Sequence, residues 1–286
     1  MFGLFDWIDN WIRNLFIDSI TSNYISMFAH VNEEVGNIAE RVGASPLDFN
    51  PAIFNMIRTL SETVIIPIAG IILTFVLCYE LIQMILERNN MVEFEISSIF
   101  KWIMKTFIAV YILTNTFDIV MAVFDVAQNV INASAGIISD SLDAGFSLDA
   151  LAEYLDSLTL GQLIGLWLES NILSLAMRAI SLCIFLIIHG RMIEIYLTVS
   201  VAPIPLSTMS NKEWGSIGNN YLKSLFALGF QGFLIMVCVA IYAVLITTSL
   251  SDDIQTSMWS ALGISVLLCF TLFRSASLSR SLFGAS

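Results

Sequence analysis

Residues 106–177 read TFIAVYILTNTFDIVMAVFDVAQNVINASAGIISDSLDAGFSLDALAEYLDSLTLGQLIGLWLESNILSLAM, 72 residues with eight carboxylates and no lysine or arginine. The stretch sits in a chain that is 57% hydrophobic and 13% charged, with mean hydropathy +0.82. Soluble domains carry about 25% charged residues. In a membrane protein the cytoplasmic loops collect Lys and Arg, and the translocated loops lack them. The base-free stretch therefore marks a segment pushed across a bilayer. The chain reads as an all-α polytopic membrane protein.

A helix crossing a hydrocarbon core of about 30 Å needs roughly 20 mostly apolar residues. Five segments qualify as candidate spans: 64–86, 102–124, one beginning near Asn171, 221–248 and the shorter 258–273. Their charges set a direction. Arg88, Lys101 and Lys105 hold the first connection in the cytoplasm, and the acidic 125–170 helical loop lies outside. Lys212 and Lys223 bring the chain back in, Asp252 and Asp253 mark an outer turn, and Arg274 and Arg280 keep the tail inside. The N-terminus is then outside. The expected layout is an extracytoplasmic helical region 1–62, spans one and two in 63–124, and the outer loop 125–170. A third span with a cytoplasmic-side extension follows in 171–206, then a cytoplasmic loop 207–220, spans four and five in 221–273 and a cytoplasmic tail 274–286.

Residues 171–206 admit a second reading. Gly190 and Arg191 could turn, making 192–206 a sixth span, but Lys212, Lys223, Arg274 and Arg280 would then be stranded outside. Five spans are preferred, with 192–201 continuing along the inner interface until Pro203 and Pro205 end the helix by removing amide donors.

Near the start, Leu4, Phe5, Ile8, Trp11, Ile12, Leu15, Phe16 and Ile20 recur at helical spacing beside Trp7, opposite Asp6, Asp9, Arg13 and Asp18. Such a pattern suits a helix lying in the interface, anchored in membrane lipid by Phe5, Trp7, Ile8, Trp11, Ile12 and Phe16. It equally suits a helix packed on neighbouring subunits. The first residues have acid where a signal peptide needs base, so no cleavage is expected. In the outer loop, 146–158 reads as an amphipathic helix, and Thr159 with Gln162 forms a capping box opening another over 160–168. Either a cap over the bundle or a docking surface for an outer partner fits these helices.

Ionisable groups inside spans are costly and normally face protein or water. Asp118 and Arg178 each lie seven residues from the outer end of a span, about 10 Å deep at 1.5 Å per residue. Their helices share one outer loop, which predicts an Asp118–Arg178 pair. Glu80 and Lys105 form a second candidate pair near the inner side. Gln231, close to Gly229 and Gly232, is a candidate interhelical hydrogen-bonder.

Enzyme chemistry finds no support in the sequence. No GxxxxGK[ST] loop and no GxSxG serine occur, and His30 and His189 stand alone. Cys78, Cys183, Cys238 and Cys269 lie in apolar runs without CxxC partners, and are read as buried reduced thiols. No cofactor and no metal are expected. The twelve Lys and Arg are scattered singly, so no basic patch grips DNA.

The stretch Gly190-Arg191-Met192-Ile193-Glu194-Ile195-Tyr196, then Ala202-Pro203-Ile204-Pro205, Lys212-Glu213-Trp214, Gly218, Tyr221-Leu222-Lys223-Ser224 and Gln231-Gly232, carries a resemblance. With the tail Phe273-Arg274-Ser275-Ala276-Ser277-Leu278 and Ser281-Leu282-Phe283-Gly284, it resembles the TrbL-like polytopic inner-membrane channel subunit of type IV secretion systems, in the form of Gram-positive conjugative elements. The resemblance covers roughly the C-terminal third at motif level. It implies a subunit of a translocation channel in the bacterial cytoplasmic membrane, assembling as a homo-oligomer, a ring, with transient contact to transferred DNA or protein. It implies as partners a cytoplasmic traffic ATPase, a DNA-coupling ATPase and other membrane subunits of the secretion machine. It also implies that 190–224 faces the cytoplasm, with Arg191, Glu194, Pro203, Pro205, Lys212, Trp214 and Lys223 as docking residues. One departure is the outer loop of only about 45 residues, which points away from pilus building and toward DNA transfer through one membrane. Two other classes compete with it: a stand-alone secondary transporter or permease subunit, and a small membrane-anchoring or immunity protein. Transporters show internal repeats and paired broken helices, and neither is found.

Overall fold

The computed structural model describes residues 2–86, 96–138, 148–211, 213–249 and 254–285, and every regular element among them is helical. The helices are α1 (Phe2–Gly43), α2 (Pro46–Phe49), α3 (Pro51–Leu60), α4 (Ile66–Leu86), α5 (Ile96–Thr114) and α6 (Thr116–Ile138). They continue with α7 (Leu148–Ser157), α8 (Leu160–Ser200), α9 (Pro203–Ser207), α10 (Gly215–Ser249) and α11 (Ile254–Phe283). Five helical stretches are long and apolar enough to cross a membrane: Pro51–Leu86, Ser97–Thr114, Leu160–Ser207, Gly215–Ser249 and Gln255–Phe283.

Local chemistry sets the helix ends. Asn50 caps α3 by accepting from the Ile53 amide at 3.0 Å, and Pro51 follows at the first helical position, where a missing N–H does no harm. Between α3 and α4 the helix widens into a π-turn over Ser61–Ile65, with the Ile66 amide reaching the Ser61 carbonyl. Pro67 explains it: the ring lacks a donor and crowds the carbonyl four residues back, and one wider turn relieves both. The first membrane-length helix thus starts at Pro51, well before the expected 64. At the other side of the hairpin, α5 stops at Thr114 and α6 starts at Thr116, where the sequence suggested one helix over 102–124. Thr114 and Asn115 turn their side chains back on the Tyr111 carbonyl, at 3.1 and 2.9 Å, which competes with helix continuation. Helix α6 then runs to Ile138, into the region read as a loop. The Thr159 amide donates to Gln162 Oε1 at 2.9 Å at the start of α8, the reciprocal arm of a capping box.

The chain forms two compact units. The first comprises 1–42, 133–188 and 235–274. Its core takes Ile20, Tyr24 and Met27 from α1, Leu151 and Leu155 from α7, and Leu163, Leu173 and Ile184 from α8. Val239, Tyr242, Met258 and Leu268 complete it from α10 and α11. Trp167 joins α8 to α1 by stacking edge-on with Phe16 at 5.6 Å and donating to Ser19 Oγ at 3.0 Å. Arg13 donates to the Asp156 carbonyl at 2.5 Å, a cation on the free carbonyl end of α7. The second unit comprises 43–132, 189–234 and 275–286. Its main cluster gathers Ile57, Phe117, Val120 and Phe124 with Met192, Ile195, Tyr196, Val199, Leu225 and Leu228. A smaller one joins Ala69, Leu73, Leu77 and Leu113, with Ile204 packed on it.

Candidate functional site

In the second unit, the motif-bearing stretch 189–214 follows the first membrane-length helix from its beginning to its far end. His189 meets Phe49 at 5.3 Å between ring centroids, Ile204 packs against the Ala69–Leu73–Leu77 cluster, and Glu213 reaches Gln83 at 2.8 Å. Residues 192–201 are expected from the sequence to continue the helix along the inner interface, and they continue α8 to Ser200. Met192, Ile195, Tyr196 and Val199 form an i, i+3, i+4, i+7 stripe, and all four are buried against α6 and the end of α3. Helix α8 ends at Ser200, just before Pro203. Pro203 opens the short α9, where its missing donor is harmless, and is itself buried.

Arg191 is the one charged side chain buried among the described residues, at 6% exposure. Gly232 makes room for it: a Cβ there would stand 2.6 Å from Arg191 Nη2 and 2.4 Å from Ile131 Cδ1. Arg191 Nε has no hydrogen-bond partner. One turn on, Glu194 forms an ion pair with Arg280 on α11. Gln231 donates to Ser275 Oγ at 3.3 Å and Ser279 donates to the Ala227 carbonyl at 2.5 Å, so α10 and the end of α11 are tied by small polar groups.

The far end of the stretch is aromatic. The Trp214 ring lies over Tyr79 at 5.1 Å and over Phe75 at 5.7 Å, both nearly parallel. Tyr79 also donates its hydroxyl to Glu213 at 3.1 Å. Sequence reading missed Phe75, Tyr79 and Gln83 because nothing in a single apolar span marks which residues meet a distant loop.

Of the intramembrane charges, the structure brings Lys105 and Glu80 together as an ion pair. The expected partners Asp118 and Arg178 fall in different units. Asp118 stands in the first turn of α6, 3.5 Å from Arg58, while Arg178 belongs to the other unit and has no ion pair among the described residues. The depth argument counts from helix ends at 125 and 171, whereas the helices break at Asn115 and start at Leu160. Arg58 also pairs with Glu62 at 2.8 Å and sits 5.5 Å over the Phe117 ring. The i,i+4 spacing of Arg58 and Glu62 was a usable signal for this cluster.

The docking residues are dispersed. Arg191 and Pro203 are buried, Glu194, Pro205 and Trp214 are half-buried, Lys223 is exposed, and Lys212 lies outside the described residues. The anchor residues fall on two faces of α1. Trp7 and Trp11 are exposed at 65% and 56% along with Leu15, whereas Ile12 and Phe16 are half-buried above Ile20. The side chains of Phe5 and Ile8 lie outside the described residues. Cys78 is exposed, against the expectation of a buried thiol, and the other three cysteines are half-buried.

One cavity of about 420 Å³ is walled by Phe226, Phe230, Phe233 and Phe283 and floored by Ala127 and Gly229.

Five apolar helical spans on an all-α scaffold define a multi-pass integral membrane protein. Residues 31–203 match the family described as TrbL/VirB6 plasmid conjugal transfer like protein. The match covers more than half of the chain, which belongs to this family. It is a membrane subunit of the conjugal transfer, type IV secretion class in the bacterial cell membrane, working with other components of such a machine. Neither the comparison with curated proteins nor that with solved structures gives a match.

Proposed function

We propose that this chain is a nonenzymatic channel or scaffold subunit of a conjugative type IV secretion machine, assembling as a homo-oligomeric ring that helps DNA or protein cross the cytoplasmic membrane. The family match over 31–203 carries this reading. Helix burial supports the oligomer. Half of the best apolar window of Gly215–Ser249 is buried inside the chain, against 11% of Ser97–Thr114. Helix α10 is thus an internal post, while α5 leaves Phe100, Phe107 and Tyr111 outward for lipid or neighbouring copies.

The orientation read from charge places the N-terminus outside and the C-terminus in the cytoplasm. On that orientation the aromatic end of the 189–214 stretch faces inward. The traffic ATPase and the DNA-coupling ATPase then dock at Trp214, Lys212 and Lys223 rather than at the buried Arg191. Two experiments test the proposal. Deleting the coding sequence in a donor cell abolishes conjugative transfer, and the plasmid-borne copy restores it; unaffected transfer refutes the assignment. A cysteine at the exposed Ser216 resists an impermeant maleimide in intact cells and reacts after permeabilisation. Labelling in intact cells overturns the orientation and the docking face with it.

A further inference from the structure

We infer that the phenylalanine-walled cavity between α6, α10 and the end of α11 binds one acyl chain of an anionic membrane phospholipid, with its phosphate at Lys223. The cavity lies wholly within the second unit and holds about 420 Å³, within the range of ligand pockets of roughly 300–1,000 Å³. Its shape comes from residue size. Gly229 and Ala127 approach closely enough that a Cβ on Gly229 would stand 3.2 Å from the Ala127 Cβ, which brings the α6 and α10 backbones together as a floor. The rings of Phe226, Phe230 and Phe283 rise above it, Phe230 meeting Phe283 edge-on at 5.6 Å and Phe226 meeting it in a stack at 6.5 Å.

The mouth is open at its rim. Val126 and Phe226 on its rim are 65% and 46% exposed. Where hydrocarbon bathes such an opening, a chain of methylenes enters without desolvation. Charge selects the headgroup. Lys223, Phe226, Phe230 and Phe233 are spaced 3, 4 and 3 residues apart on α10, which puts the lysine on the same face, one turn beyond the aromatic wall. Lys223 is exposed and forms no ion pair among the described residues. Arg280, three residues before Phe283, is already neutralised by Glu194. An apolar slot ending in one unneutralised cation fits a single anionic phosphate rather than a zwitterionic headgroup. Anionic lipids attract basic residues near a membrane surface.

Purified full-length protein in vesicles of phosphatidylcholine, doped with a phosphatidylglycerol bearing a diazirine in its acyl chain, tests the site. After illumination, adducts concentrate on peptides covering 122–130 and 226–233. Val126→Trp, a substitution at an exposed rim position, fills the slot and lowers these adducts at least fivefold. Lys223→Gln lowers them for the phosphatidylglycerol probe and leaves those of a diazirine phosphatidylcholine unchanged. Adducts spread evenly over all spans, or insensitive to Val126→Trp, overturn the site. Equal loss of both probes on Lys223→Gln overturns the headgroup assignment. If Val126→Trp instead changes oligomer mass with lipid adducts intact, the slot is a subunit interface and the inference fails.

Discussion

Asp118 Oδ1 lies 3.5 Å from Arg58 Nη2, across the junction where α5 gives way to α6. Both side chains are substantially exposed, 68% and 45%, so the pair is loose. Exposed pairs contribute about 0.2–1 kcal/mol in double-mutant cycles. Arg58→Ala and Asp118→Ala should therefore show coupling of about 0.5 kcal/mol when thermal unfolding is followed in detergent. Arg178→Ala combined with Asp118→Ala should be additive. Strong coupling of Asp118 to Arg178 would restore the pairing that the sequence suggested.

Among the described glycines with an ordinary backbone, Gly218 is the least replaceable. A Cβ there would meet the Pro205 carbonyl oxygen at 2.6 Å and Met209 Cγ at 2.1 Å. A methionine tail can move, but the carbonyl belongs to α9 and cannot without displacing it. Overpacking of this kind costs about 1–3 kcal/mol. Gly218→Ala should lower the melting temperature clearly. Gly165→Ala on α8 should not, because nothing lies within 4 Å of its Cβ position, and helix propensity favours alanine by up to about 1 kcal/mol. Equal melting temperatures for the two variants would show that the α9–α10 approach is looser than described.

These contrasts also show what one sequence reveals. Hydrophobic runs and the missing bases between Lys105 and Arg178 were enough for an all-α membrane protein with five spans, since length and polarity are properties of each segment alone. The Lys105–Glu80 contact was also foreseeable, because only nine residues of sequence separate α4 from α5. Whatever depended on which helix meets which was not legible. Arg58 opposite Asp118, and Trp214 over Phe75 and Tyr79, require the register of distant elements. A π-turn and a one-residue break at Asn115 shift that register by amounts no periodicity shows.

Trp214 should anchor the 213–214 turn to α4. It stacks on two rings, and each aromatic pair is worth about 0.5–1.5 kcal/mol beyond area burial. Trp214→Ala should destabilise the chain by about 1–3 kcal/mol, whereas Trp214→Phe should retain most of the stability. The neighbouring Glu213→Gln should act more weakly, since an amide oxygen still accepts from Tyr79. Conjugative transfer by the Phe variant near the parental frequency, with loss in the Ala variant, would tie the stack to assembly. Identical melting of all three variants would show that the turn is held by other contacts.

Within the first unit, Cys183 on α8 and Cys269 on α11 interact through their thiols. Neither forms a disulfide in the structure. Disulfide formation needs Cα atoms within about 7 Å and suitably directed Cβ bonds, so cross-linking reports on helix register without any added cysteine. With Cys78→Ser and Cys238→Ser removing the other thiols, oxidation by copper phenanthroline should give an intrachain disulfide. Its sign is a peptide pair joining 183 to 269 by mass spectrometry, absent after reduction. The reaction should proceed in detergent and in vesicles alike, because both cysteines lie on one chain and within one compact unit. Oxidation that yields only interchain dimers would mean that α8 and α11 present these thiols outward, and the packing of the first unit would have to be redrawn.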